Sequence, residues 1–109
     1  MNTNPVYTKY KIPFPFVDIY FIVWQPNCVS KIHNHSKNGC HMLILRGDLR
    51  EEIYSKGNNL SLIEVNYYNT FSKSYIDDNI GYHRILNGNL YSFSLHIYNP
   101  KNHVTMYYD

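Results

Sequence analysis

The chain has no long apolar run, no block of like charge, no helical period and few cysteines. Each lack excludes something. No stretch approaches the roughly 20 apolar residues that cross a bilayer as a helix, and Met1-Asn2-Thr3-Asn4-Pro5 carries no signal-peptide pattern. A soluble, intracellular (cytoplasmic) protein with no membrane partner is expected. Lysines and arginines are scattered through a chain of net charge +2, so no nucleic-acid partner is indicated. Cys28 and Cys40 are too few for a secreted disulfide framework. No internal repeat or low-complexity linker divides the 109 residues, which predicts one domain over 1–109 with a modest core.

What is abundant is tyrosine, 12 residues, alongside Asn, Ile and Lys. This mixture is what an AT-rich genome encodes, such as that of a large DNA virus or an AT-rich microbe; a viral chain would work in the host cytoplasm. Tyrosine and β-branched residues also suit a half-buried pleated surface. Short runs alternate with turn residues. The expected strands are Val17–Trp24, Lys31–His35, His41–Leu45, Leu49–Ser55, Leu60–Val65, Thr70–Tyr75, Tyr82–Leu86, Leu90–Tyr98 and Val104–Tyr108. Turns are expected at Gln25-Pro26-Asn27, Asn38-Gly39, Arg46-Gly47-Asp48, 56–59, Asp77-Asp78-Asn79, Asn87-Gly88-Asn89 and Asn99-Pro100. Short, evenly spaced strands predict an all-β sandwich or small barrel.

Strand parity sorts the polar residues. Residues two apart share a face, so His33 and His35 point together, as do Ser92, Ser94, His96 and Tyr98. The other face of that last run carries Tyr91, Phe93, Leu95 and Ile97. Two readings stand: a strand with one wet and one core face, or a polar face that lines a cavity.

The spacing of the histidines is more specific than the pair alone. Asn27, five residues, His33-x-His35, four residues, Cys40, six residues, Gly47 reproduces the interval of the first motif of cupins, with Asn27 for Gly and Cys40 for Glu. His83 and Asn87 reproduce the end of the second. Within that superfamily the chain resembles cysteine dioxygenase, a thiol dioxygenase. The resemblance runs through Trp24 to His35, Cys40 to Tyr54, Tyr75 to Asn87, and Ser94 to Asp109. It implies a small cupin-type jelly-roll β-barrel, here reduced to little more than the barrel core. By the same resemblance His33, His35 and His83 bind Fe(II), and Cys40 forms a thioether with Tyr98. Ser94, His96 and Tyr98 form a relay beside the iron. Tyr7-Thr8-Lys9 stands where a Tyr-x-Arg pair binds the substrate carboxylate, with Lys11 as an alternative cation. Asn99-Pro100 stands where the family has a cis peptide.

Physical chemistry agrees with that assignment. Without the glutamate ligand, three neutral imidazoles leave a divalent ion its full charge, which favours an anionic ligand such as a thiolate. Open positions would let thiol and O2 meet, with cysteine giving cysteine sulfinic acid. Lys9 departs from the family: an ammonium is a point charge where a guanidinium grips a carboxylate twice. Another small thiol, 3-mercaptopropionate or cysteamine, is therefore the alternative substrate. A zinc site and a non-catalytic cupin that binds a metal or ligand are the remaining readings. The chain is shorter than the family norm, and a second copy covering its flanks would make a homodimer. Cys28 is read as incidental, Trp24 as packing; His41 and His103 receive no role.

Overall fold

The turns and alternating runs resolve into eight strands in a computed structural model that describes residues 7–35, 39–56, 59–99, 101–102 and 104–108. They are β1 (Tyr7–Ile12), β2 (Asp18–Trp24), β3 (Cys40–Arg46), β4 (Leu49–Tyr54), β5 (Leu62–Tyr68), β6 (Lys73–Ile76), β7 (Tyr82–Asn87) and β8 (Ser92–Tyr98). No helix occurs among the described residues, and none is long and apolar enough to cross a membrane. The all-β expectation holds. All pairings within the sheets are antiparallel, in the orders β1-β2-β8-β3-β6 and β5-β4-β7. No continuous ladder among the described strands joins the two sheets, and the architecture is the small cupin-type jelly roll expected.

Several expected strands shift. Lys31–His35 and Val104–Tyr108 are not strands. They are extended segments with isolated bridges, His33 to His83 and His33 to Tyr107. β5 and β6 begin later than the Leu60–Val65 and Thr70–Tyr75 runs. β1 is an addition: its exposed Tyr-Thr-Lys-Tyr-Lys-Ile sequence shows little burial contrast, yet its whole length pairs with β2, from Tyr7↔Trp24 to Ile12↔Ile19. The turn at 56–59 and the Asn99-Pro100 peptide lie partly outside the described residues, and Asn38 and His103 wholly so.

One departure from the cupin motif has a backbone explanation. Asn27 takes the glycine's place at φ 63°, a left-handed conformation that asparagine tolerates better than other side-chain-bearing residues. Gly47 keeps its identity at φ 109°, and a Cβ there would run into Ser92 Oγ. Asn87, the last motif residue, is a staple. Its Nδ2 donates to the carbonyls of Trp24, Gln25 and Leu90 (3.2, 2.9 and 2.7 Å), and its Oδ1 accepts from Ser92 Oγ at 2.6 Å.

Between the sheets, Ile22, Trp24, Cys28, Met42, Ile44, Leu49 and Ile85 form the main core, and Cys40, Ile53, Ile76 and Tyr98 a smaller one. Burying one such aliphatic or aromatic side chain stabilises by about 1.5–3 kcal/mol. Beside these clusters the inner face turns polar: Ser92, Ser94, His96 and Tyr98 of β8 are all buried, while Phe93, Leu95 and Ile97 point outward and are only half-buried. The cavity-lining reading of β8 is the one the structure adopts.

Candidate metal centre

The three motif histidines converge although 50 residues separate His33 from His83. His83 is delivered by β7, whose partner β4 fixes its height through Ile53↔His83. His33 is delivered by the bridge to His83, with His33 N donating to His83 O (3.0 Å) and His83 N to His33 O (3.2 Å). His35 follows two residues on, its amide donating to Asp78 Oδ1 at 2.8 Å. Ring centroids lie 4.6 Å apart for His33–His83, 4.4 Å for His35–His83 and 5.5 Å for His33–His35. One nitrogen from each lies within 4.8 Å of the others, and all three residues are buried.

The donor pattern fits a cation. His33 Nδ1 lies 2.7 Å from Lys31 O, a pure acceptor, and His83 Nδ1 lies 2.6 Å from Glu51 Oε2. A proton on each Nδ1 would satisfy these acceptors, and a ring so arranged and neutral presents a bare Nε2. Those two Nε2 atoms are 3.0 Å apart. Lone pairs so placed repel unless a positive centre lies between them. Two nitrogens each about 2.1 Å from one ion and at right angles would be separated by about 3.0 Å. Burial, reinforced by His33 and His96, drives the His83 pKa well below 6.5, which keeps the ring neutral, as a ligand must be.

A small pocket, with room of about 20 Å³, opens beside His33 and His83. One wall carries His96 and Tyr98 of β8. Trp24 Nε1 donates to Ser94 Oγ (2.9 Å), and Ser94 Oγ is 2.8 Å from His96 Nε2. Because indole only donates, the Ser94 hydroxyl proton is free to go to His96. His96 then carries its own proton on Nδ1. Burial, with the charges of His33 and Lys9, lowers the His96 pKa to about 3. Tyr98 faces the same pocket, and its side-chain hydrogen-bond partner is Cys40, directly opposite on β3. Burial pushes the Cys40 thiol up to about 12 against the pull of that hydrogen bond. Burial, and then Cys40, raises Tyr98 well above 10.0. Gly39, at φ 89°, lets the chain enter β3 past the Tyr75 ring, which a Cβ would meet at 2.5 Å.

The same sheet extends this wall through β2 to β1. Tyr7 and Lys9 both line the pocket; Tyr7 packs on Trp24 at 4.9 Å between centroids, and Lys9 Nζ lies 4.9 Å from the Tyr20 ring centre. Burial lowers the Lys9 pKa while Cys40 raises it. Lys11 instead pairs with buried Asp18 at 3.3 Å, which removes it as the alternative cation.

Three residues at or behind the site had not been anticipated from the sequence. Thr105 and Tyr107 line the mouth, held by Tyr108 N donating to Ile32 O (2.9 Å) and Asn34 N to Met106 O (3.1 Å). Glu51, 1% exposed, sits behind His83. The signal for Glu51 was present: it lies between Leu49 and Ile53 in a strand where both neighbours of that parity are core residues.

Comparison with known proteins places this arrangement among relatives. The sequence profile of the family described as "Cysteine dioxygenase type I" matches residues 8–109. Cysteine dioxygenase type 1 of Homo sapiens is 28% identical over 89 residues, covering 76% of this chain and 44% of that protein. The enzyme of Rattus norvegicus gives the same figures. The chain thus spans under half the length of these curated relatives. Solved structures share the fold at lower identity. A Klebsiella pneumoniae protein with a double-stranded β-helix domain has a TM-score of 0.74 and 12% identity, covering 100% of this chain and 88% of its own. A recombinant oxalate oxidase in complex with glycolate has 0.73 and 16%, covering 98% and 56%. The CENP-C cupin domain of Drosophila melanogaster has 0.61 and 12%, covering 84% and 75%.

Proposed function

Because the chain belongs to the cysteine dioxygenase type I family, we propose that it is a non-haem iron thiol dioxygenase whose substrate is cysteine. The observation that carries this reading is the convergence of three buried imidazoles, two with the outer nitrogen set against an acceptor, beside a pocket lined by Lys9, His96 and Tyr98. The overall reaction is RSH + O2 → RSO2H, in which sulfur loses four electrons and the two oxygen atoms gain them.

His33, His35 and His83 would hold Fe(II). Bound there, the ion supplies charge that deprotonates a thiol and open positions at which thiolate and dioxygen are brought together. The rest falls to the chain. Lys9 offers one ammonium to the substrate carboxylate, and Tyr7 narrows the pocket beside it. Burial lowers the Lys9 pKa, so a carboxylate there gains more than it would in water. Tyr98 is protonated throughout the physiological range and acts as a hydrogen-bond donor at the reacting end. His96, neutral and held through Nε2 by Ser94, keeps that end polar without adding charge.

The pairing of Cys40 with Tyr98 supports a thioether between Sγ and the phenol ring. Its formation removes one hydrogen from each residue; the two electrons and two protons reduce a molecule of O2 to peroxide. The smaller thiols 3-mercaptopropionate and cysteamine form the second reading, favoured by the replacement of a guanidinium with Lys9.

The test is anaerobic loading with Fe(II), then O2 uptake with a thiol panel. Cysteine sulfinate formed in step with O2 uptake is expected. Uptake without sulfinate, or none, would falsify the activity. Preferred turnover of cysteamine, which has no carboxylate, would remove Lys9 from its role.

A further inference from the structure

The ligand position that cupins give to a glutamate is held here by Cys40, so the three-imidazole set carries no negative charge of its own. A carboxylate is nevertheless present, one residue further out. Glu51 Oε2 accepts from His83 Nδ1 at 2.6 Å. Its other oxygen, Oε1, accepts from Tyr68 Oη at 2.9 Å and from Asn66 Nδ2 at 3.2 Å. The side chains of Glu51 and His83 are 1% and 3% exposed, so water does little to screen the pair. Its place is built by the fold: β4 sits between β5, which supplies Tyr68 and Asn66, and β7, which supplies His83.

We infer that Glu51 supplies, through His83, the negative charge the ligand set lacks, and so acts as a positioning residue that tunes the charge on the metal. This rests on the three-histidine metal reading above. A divalent ion held by three neutral rings would leave two positive charges in a buried site, which is costly. Glu51 offsets one of them, and a substrate thiolate would offset the other. The hydrogen bond also fixes the His83 tautomer, leaving Nε2 free, and raises its basicity as a ligand. Tyr68 and Asn66 hold the carboxylate in register and draw off part of its charge.

Glu51→Gln keeps an acceptor for His83 Nδ1 and removes the charge. Fe(II) affinity by chelator competition under argon is expected to fall about ten- to a hundredfold, and the midpoint potential of the bound iron to move positive. Tyr68→Phe leaves the charge and removes one donor to it, so the potential is expected to move negative with the fold intact. This second variant serves if the first does not fold. Wild-type affinity and potential in Glu51→Gln, or a potential in Tyr68→Phe that stays put or moves positive, overturns the inference. A wild-type chain that binds no Fe(II) overturns it together with the metal reading. A wild-type chain that binds Fe(II) but oxidises no thiol overturns the dioxygenase activity alone.

Discussion

The two faces of β8 exchange the usual arrangement of a sheet. Its inward side carries Ser92, Ser94, His96 and Tyr98, each nearly without solvent, while Phe93, Leu95 and Ile97 look outward. The outward side extends across the sheet in register: Phe21 stacks on Phe93 at 6.0 Å, and Tyr10 lies 6.3 Å from Phe21. Burying hydroxyls and imidazoles costs free energy unless each finds a partner. The Trp24–Ser94–His96 chain and the Tyr98–Cys40 pair supply those partners. The inner face therefore depends on internal partners for its buried polar groups, and the outer face is free of that demand. A side chain on one face should matter to metal and turnover, and on the other only to packing.

The largest effect that tests this division is His83→Ala. Iron affinity and turnover are expected to fall by more than the roughly 100-fold that a lost outer-shell partner costs, as read by metal titration. Tyr98→Phe should retain iron and lower kcat by about 10²-fold or more, the usual loss of a positioned proton donor, in steady-state assays. Ile44→Ala, on the inner face but in its apolar part and 0% exposed, is expected to cost about 2–5 kcal/mol in denaturant unfolding with little change in kcat of the folded fraction.

A smaller effect is pH dependence of the metal-free chain. The folded His96 pKa is lowered to about 3 from 6.5 by burial, so the unfolded chain takes up its proton first. Stability is whole above pH 6.5 and declines as pH falls toward 3, at no more than about 1.4 kcal/mol per pH unit from this ring. His83 acts in the same direction. In denaturant melts at successive pH values, His96→Gln should flatten the decline; an unchanged slope would mean that His96 is already charged when folded. Least of all, Leu95→Thr on the outer face should cost about 1 kcal/mol and leave iron affinity and kcat alone. A tenfold loss of turnover there would break the comparison between the faces.

Much of this site is legible in the chain because ligand spacing survives where element boundaries do not. His33-x-His35 and His83 keep their motif intervals even though Lys31–His35 is no strand. The choice between Lys9 and Lys11 was not legible. They share a strand face, and only the buried Asp18 at the end of β2 separates them. Glu51 had its parity with Leu49 and Ile53 as a signal, but its neighbour Glu52, held by Arg50 (2.7 Å) and Arg84 (2.6 Å), offers a second carboxylate beside it. Two adjacent acids look alike until pairing turns one inward. Thr105 and Tyr107 reach the pocket through bridges rather than a ladder, and no period announces such contacts.

The central claim is that three imidazoles form a centre where a thiol and dioxygen react. Turnover of the iron-loaded chain with cysteine under isotopically labelled dioxygen, with the product weighed by mass spectrometry, tests it most directly. The account predicts sulfinate carrying both labelled oxygen atoms, and none from His83→Ala. Cystine alone, or sulfinate without the label, would contradict it.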